Sequence, residues 1–154
     1  KAPKTVENFL KYVSKGLYDN DSFFRVCTAE NEADRKVKIE VIQGGDVAEG
    51  LLFQPIELET TQETGLKHLN GTISMARGAP NSAQSSFFIC INKQPSLDFG
   101  GERNSDGQGF AAFGMVSKGM NVVLKIQASE NVDQYLSLPI TIKTMEILPS
   151  LKIK

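Results

Sequence analysis

Few side chains in this sequence could carry covalent chemistry. His68 is the only histidine, so spacing yields neither a zinc cluster nor a Ser-His or Cys-His nucleophile pair, and it reads as an exposed loop residue. Cys27 and Cys90 each sit in an apolar, strand-like segment, where free buried thiols are expected rather than a disulfide framework. Asp98-Phe99-Gly100 spells the metal-binding triplet of protein kinases, but no glycine loop or H-R-D segment accompanies it. Asn20-Asp21-Ser22 and Asn70-Gly71-Thr72 fit the glycosylation sequon, too short a pattern to indicate a secreted protein. What remains is non-covalent. Arg25, in the apolar run Phe23-Phe24-Arg25-Val26, offers a planar and permanently charged fork of donors. Gln43, at the end of Val41-Ile42-Gln43, offers an amide that both accepts and donates. Alone, a strand arginine is a surface ion-pair partner and a glutamine beside glycines is a turn hydrogen bond.

Short strands must position these two residues. Runs rich in β-branched and aromatic residues, bounded by turn formers, predict strands over 22–27, 38–43, 71–76, 86–91, 110–116 and 140–148. Alternation places Phe23 on the face of Arg25, with Phe24 and Val26 on the other. Val6, Phe9, Leu10 and Val13 recur at helical spacing and predict a helix over 4–15, stopped at Gly16. A weaker pattern through Val123, Leu124 and Ile126 predicts a second helix over 120–128. Many strands and two helices suggest a barrel with covered ends. Residues 28–37 carry mixed charges, as an exposed hairpin extension does, and 99–109 has the glycine-rich composition of a long surface loop.

The whole chain, 154 residues with 40% apolar and 23% charged, suits one soluble globular domain over 1–154. A formal net charge of -1 implies no general attraction for nucleic acid or acidic lipid. Apolar runs such as 87–91 fall far short of the ~20 residues of a membrane span. Lys1-Ala2-Pro3 reads as the entrance to a helix rather than a natural chain start, which leaves a cytoplasmic or a periplasmic and secretory location open.

Five ordered motifs tie these pieces together. Ala2-Pro3-Lys4-Thr5-Val6-Glu7-Asn8-Phe9 with Tyr18-Asp19 and Phe23-Phe24-Arg25-Val26, then Gln43-Gly44-Gly45-Asp46, then Ser74-Met75-Ala76, Ser85-Ser86-Phe87-Phe88-Ile89, and Phe113-Gly114 with Val116 and Gly119-Met120 follow one another. The sequence thereby resembles the cyclophilin-type peptidyl-prolyl cis-trans isomerases. The resemblance implies a mainly β fold, an eight-stranded antiparallel barrel capped by two helices, whose N-terminal strand pair this chain does not contain.

It further implies isomerisation of X-Pro bonds without cofactor or metal, with Arg25 as the catalytic residue and Gln43 steering its guanidinium. Val41, Phe88, Leu97 and Phe110 are implied as the recess for the proline ring, Ala76 and Arg77 as the segment alongside the peptide, and Ser86 as part of the substrate groove. The implied partners are proline-containing peptides or partly folded proteins, bound by a monomer. Four positions depart from the family pattern. Phe24 stands for a histidine and is expected to point away from Arg25; Glu40 stands for an aromatic that walls the pocket; Ser86 stands for a glutamine. Ser96 stands for a tryptophan associated with cyclosporin binding. The departures motivate an alternative expectation, a catalytically weak module that binds proline-containing segments.

Overall fold

The structure, a computed structural model, describes residues 1–149. Helix α1, Pro3–Ser14, opens with proline at a position that needs no N–H. It turns Thr5, Asn8, Tyr12 and Val13 inward, a stripe displaced from the predicted one, and leaves Leu10 exposed. The displacement brings two polar residues inside because each finds partners. Thr5 donates its N–H (2.8 Å) and hydroxyl (2.6 Å) to Glu59 Oε2, and Asn8 Nδ2 donates to the Gln84 carbonyl at 2.7 Å.

Strands β1 (Ser22–Cys27), β2 (Val41–Gly44), β3 (Thr72–Met75), β4 (Phe87–Cys90), β5 (Ala112–Met115), β6 (Asn131–Val132) and β7 (Tyr135–Thr141) form one antiparallel sheet in the order β5-β3-β4-β2-β1-β7-β6. The mainly β, antiparallel class is as expected. The ladder is open, with β5 and β6 at its edges. Helices α2 (Thr61–Thr64) and α3 (Met120–Gln127) are the other α-helices among the described residues. The one-turn α2 was not foreseen, although Thr60 and Glu63 form its capping box. In α3, Val123 and Ile126 face the core while Leu124 is exposed.

The last strand lies earlier than the expected 140–148. A tight hairpin at Asp133 (φ 50°) and Gln134 (φ 77°) starts β7 at Tyr135, a left-handed turn that Asp-Gln signals poorly compared with Asn-Gly. Pro139, which has no N–H to pair, falls in the stretch where β7 leaves the β1 ladder between its contacts at Tyr135 and Ile140.

The sheet has two faces. Val26, Ile42 and Ile89 pack with Val123 and Ile126 of α3, while Phe87 and Met75 pack with Tyr12 and Val13 of α1. The opposite face carries Cys27, Val41, Phe88 and Cys90 with Ile39 and Leu97. Alternation holds in β2 and β4 but breaks in β1, where the register shifts between Phe23 and Arg25. Phe23 therefore shares the core face with Val26, not the face of Arg25 as simple alternation predicts. A bulge of one extra residue, Phe24, separates them. Gly44 and Gly45 make room: a Cβ on Gly44 would lie 3.0 Å from the Phe23 ring, and one on Gly45 (φ +82°) 2.8 Å from the Phe87 ring.

Candidate functional site

The bulge brings Arg25 to the outer face opposite Gln43, which in turn lies opposite Phe88. Arg25 Nη1 donates to Gln43 Oε1 at 2.9 Å, so the two residues singled out in the sequence meet as expected. Gln43 Nε2 donates to Ser86 Oγ at 3.0 Å, and that hydroxyl donates to the Gly44 carbonyl at 3.2 Å. The serine thus still engages Gln43 despite its short arm.

Beside this polar chain, Val41, Phe88 and Leu97 are buried together, and Ala76 and Phe110 pack against them half-exposed. Phe88 and Phe110 meet edge to face, with ring centroids 5.4 Å apart. A 3₁₀ turn over Pro95–Leu97 delivers Leu97. All four recess residues named from the sequence are in one cluster. Glu40 is not a wall of it, since its side chain accepts from Asn92 Nδ2 at 3.1 Å while Ile39 fills the cluster.

An open cleft of about 670 Å³ runs alongside, lined by Phe24, Gln43, Ala76, Ser86 and Tyr135 among others. Phe24 does not turn away from the site. As the bulged residue it reaches the cleft and stacks on Tyr135 at 6.5 Å. Arg77 is held inward: its side chain is 1% exposed. All its N–H groups go to Asp106 Oδ1 and Oδ2 and to the Gly109 and Gly78 carbonyls, at 2.6–2.9 Å. It also lies over the Phe110 ring, so its contribution is to fix that wall. The Ala76 N–H is already donated to the Ser86 carbonyl at 2.9 Å.

Two residues read as surface features are buried here. His68 is 1% exposed, against the expectation of an exposed loop residue. Its Nδ1 meets Asp98 Oδ1 at 2.8 Å, and its Nε2 meets Ser74 Oγ at 2.9 Å. The order Asp-His-Ser suggests a nucleophile, yet Ser74 is 0% exposed and no substrate reaches it. The imidazole instead stacks on Phe88, and burial pushes its pKa down against the pull of Asp98. Glu32, expected on an exposed hairpin, has a side chain with 0% exposure and pairs with Arg103 of the 99–109 loop at 2.5 Å. Only turns occupy 28–37, with no strand pair.

Gln134 is a partner of Arg25 that sequence reasoning missed. Its Oε1 accepts from Arg25 Nε at 3.0 Å and Nη2 at 2.6 Å. Nothing in its own neighbourhood signals the role, because the arginine lies 109 positions earlier. Both cysteines are free and buried as expected, and burial pushes their thiols up, Cys27 to about 11 and Cys90 to about 12.

Comparison with known proteins gives a consistent picture. The family described as cyclophilin type peptidyl-prolyl cis-trans isomerase/CLD matches residues 1–147. Peptidyl-prolyl cis-trans isomerase B of Escherichia coli is 39% identical over 132 residues, 82% of this chain and 73% of that protein. Peptidyl-prolyl cis-trans isomerase A of Dickeya dadantii is 38% identical over 146 residues, 90% and 68% of the two chains. Peptidyl-prolyl cis-trans isomerase cyp18 of Streptomyces antibioticus is 34% identical over 157 residues, 96% and 87%. The crystal structure of a Cryptosporidium parvum cyclophilin type isomerase, determined in the presence of the dipeptide Ala-Pro, superposes with a TM-score of 0.72 at 22% identity, covering 96% and 87%.

Proposed function

Because the chain belongs to the cyclophilin-type peptidyl-prolyl cis-trans isomerase family, we propose that it turns over X-Pro bonds with Arg25 as the catalytic residue. It is a peptidyl-prolyl cis-trans isomerase. The barrier to be lowered, about 18–20 kcal/mol, is the loss of amide resonance in the twisted state. Twisting localises a lone pair on the prolyl nitrogen, and a fixed donor aimed there binds the twisted amide better than either planar form. Arg25 supplies that donor at every physiological pH.

One observation carries the reading: the half-buried guanidinium, gripped by Gln43 at 2.9 Å, stands next to an apolar cluster of Val41, Phe88, Leu97 and Phe110 that suits a proline ring. Ala76, Ser86, Phe24 and Tyr135 line the adjoining cleft and would take the residues flanking the proline, with Arg77 holding the Phe110 wall. The substrates are then exposed X-Pro segments of peptides and partly folded proteins, recognised locally, and the step needs no proton transfer, metal or organic cofactor.

Exchange NMR on a short X-Pro peptide tests this. The native protein should broaden the cis and trans lines, and Arg25→Ala should cut kcat/KM by about 100-fold or more, as loss of a transition-state donor does. Peptide shifts without accelerated exchange would instead leave a binding module.

A further inference from the structure

Behind Arg25 runs a chain of polar contacts that isomerisation by Arg25 and Gln43 does not by itself require. Gln134 grips the guanidinium edge opposite Gln43, taking Nε and Nη2 on one oxygen. With Nη1 on Gln43, that leaves two of the five guanidinium N–H groups to face a substrate. The other end of the Gln134 amide, Nε2, donates to Glu32 Oε1 at 3.0 Å. Glu32 also accepts from Arg103 Nη1 (2.9 Å) and Nη2 (2.5 Å) and from the Ile39 N–H (2.8 Å). Arg103 in turn is fixed on the Val37 carbonyl at 2.7 Å.

The direction of this chain follows from its chemistry. A carboxylate only accepts, so Glu32 dictates that the NH₂ end of the Gln134 amide faces it and the oxygen faces Arg25. Burial pushes the Glu32 carboxyl up, but Arg103, the Ile39 N–H and Gln134 outweigh it and hold the group below its usual range, so it stays an acceptor. The turn that aims Glu32 inward is itself fixed, with Thr28 N–H donating to Asn31 Oδ1 at 2.8 Å and Asn31 N–H to Thr28 Oγ1 at 3.1 Å.

A second, independent observation concerns the backbone. Gln134 sits at φ 77°, a conformation where glycine is unstrained and a side chain is not. Its carbonyl accepts from the Val26 N–H at 2.8 Å, so the hairpin would be anchored without any side chain. The glutamine arm is held at a cost that its contact with Arg25 accounts for.

We propose that Gln134, mounted on the buried Glu32–Arg103 pair, is a positioning residue that fixes the guanidinium of Arg25 for catalysis. The 28–37 turns supply Glu32 and the 99–109 loop supplies Arg103. The proposal rests on the isomerase reading of Arg25. An arginine on a long, flexible stem acts on a twisted amide only if its donors are already in place, and small misplacements are expensive.

Gln134→Gly removes the arm while relieving the backbone, so the fold is retained. The expected result is a kcat on an X-Pro peptide lowered about ten- to hundredfold, with KM within twofold, an unchanged thermal midpoint, and faster hydrogen exchange at the Arg25 Nε–H seen by NMR. Glu32→Gln, assayed well below its own midpoint, should lower kcat in the same direction, since the Gln134 amide is then free to flip. A kcat within twofold of native for either variant overturns the proposal, as does a loss shared between KM and the midpoint. If the native protein itself showed no turnover, the isomerase reading would fail while the Arg25 Nε–H exchange still judged the mount.

Discussion

His68 shows how one side chain can own a region of the stability curve. It is the only histidine, and burial lowers its pKa in the fold from an ordinary value of about 6.5. As pH falls below that value, the unfolded chain takes up the proton first and the folded state resists, so stability is full above it and declines on acidification. Urea unfolding at pH 7.5 and 5.5 should therefore show a loss that His68→Gln removes; an equal loss in the variant would rule the imidazole out. Residue by residue, what the sequence made legible were groups that lie within short motifs on neighbouring strands, such as Arg25, Gln43 and Phe88. His68 and Glu32 differ from their expected exposed places because their partners, Asp98 and Arg103, are 30 and 71 positions away. No local pattern distinguishes a buried and paired polar group from a solvated one.

Among the elements, the bulge in β1 matters most. It spaces Phe23 and Val26 by three positions while keeping both on the core face, and so sends both intervening residues, Phe24 and Arg25, out of the core. The strand itself was readable from its apolar run; the extra residue was not, since period-two counting has no way to mark where it slips. The same limit hid β6 and moved β7, whose turn uses Asp133 and Gln134 in place of glycine. With Phe24 stacked on Tyr135 at the cleft, Phe24→Ala should raise KM for an X-Pro peptide about three- to tenfold, the equivalent of an aromatic contact of ~0.5–1.5 kcal/mol, and leave kcat nearly as it was. A fall in kcat at constant KM would instead tie Phe24 to the chemistry.

At the scale of the whole molecule, the 99–109 loop is more than a surface connection. One ion pair, Arg103 with Glu32, has side-chain exposures of 7% and 0%, and the other, Arg77 with Asp106, of 1% and 29%. Glu32→Ala strands a buried guanidinium, which costs about 3–5 kcal/mol and lowers the midpoint by about 10 °C in a chain of this size. Asp106→Ala should cost less, because Asp106 is partly solvated and Arg77 keeps its contacts to the Gly78 and Gly109 carbonyls. Calorimetry on the two variants separates a clasp from a decoration, and midpoints equal to the native one would make both pairs decorations. The fold class followed from strand and helix signals together with ordered motifs, but this clasp joins segments that only the folded chain brings together. The sheet order carries one more consequence. β1 is flanked by β2, made soon after it, and by β7, made near the end of the described chain. During synthesis Arg25 emerges early and waits for Gln134, 109 residues later, before both its acceptors are present. If Gln134 positions Arg25 as proposed, the isomerase comes into full service only when the C-terminal hairpin has closed on β1, and a copy truncated before β6 is expected to turn over X-Pro peptides less efficiently than the whole chain.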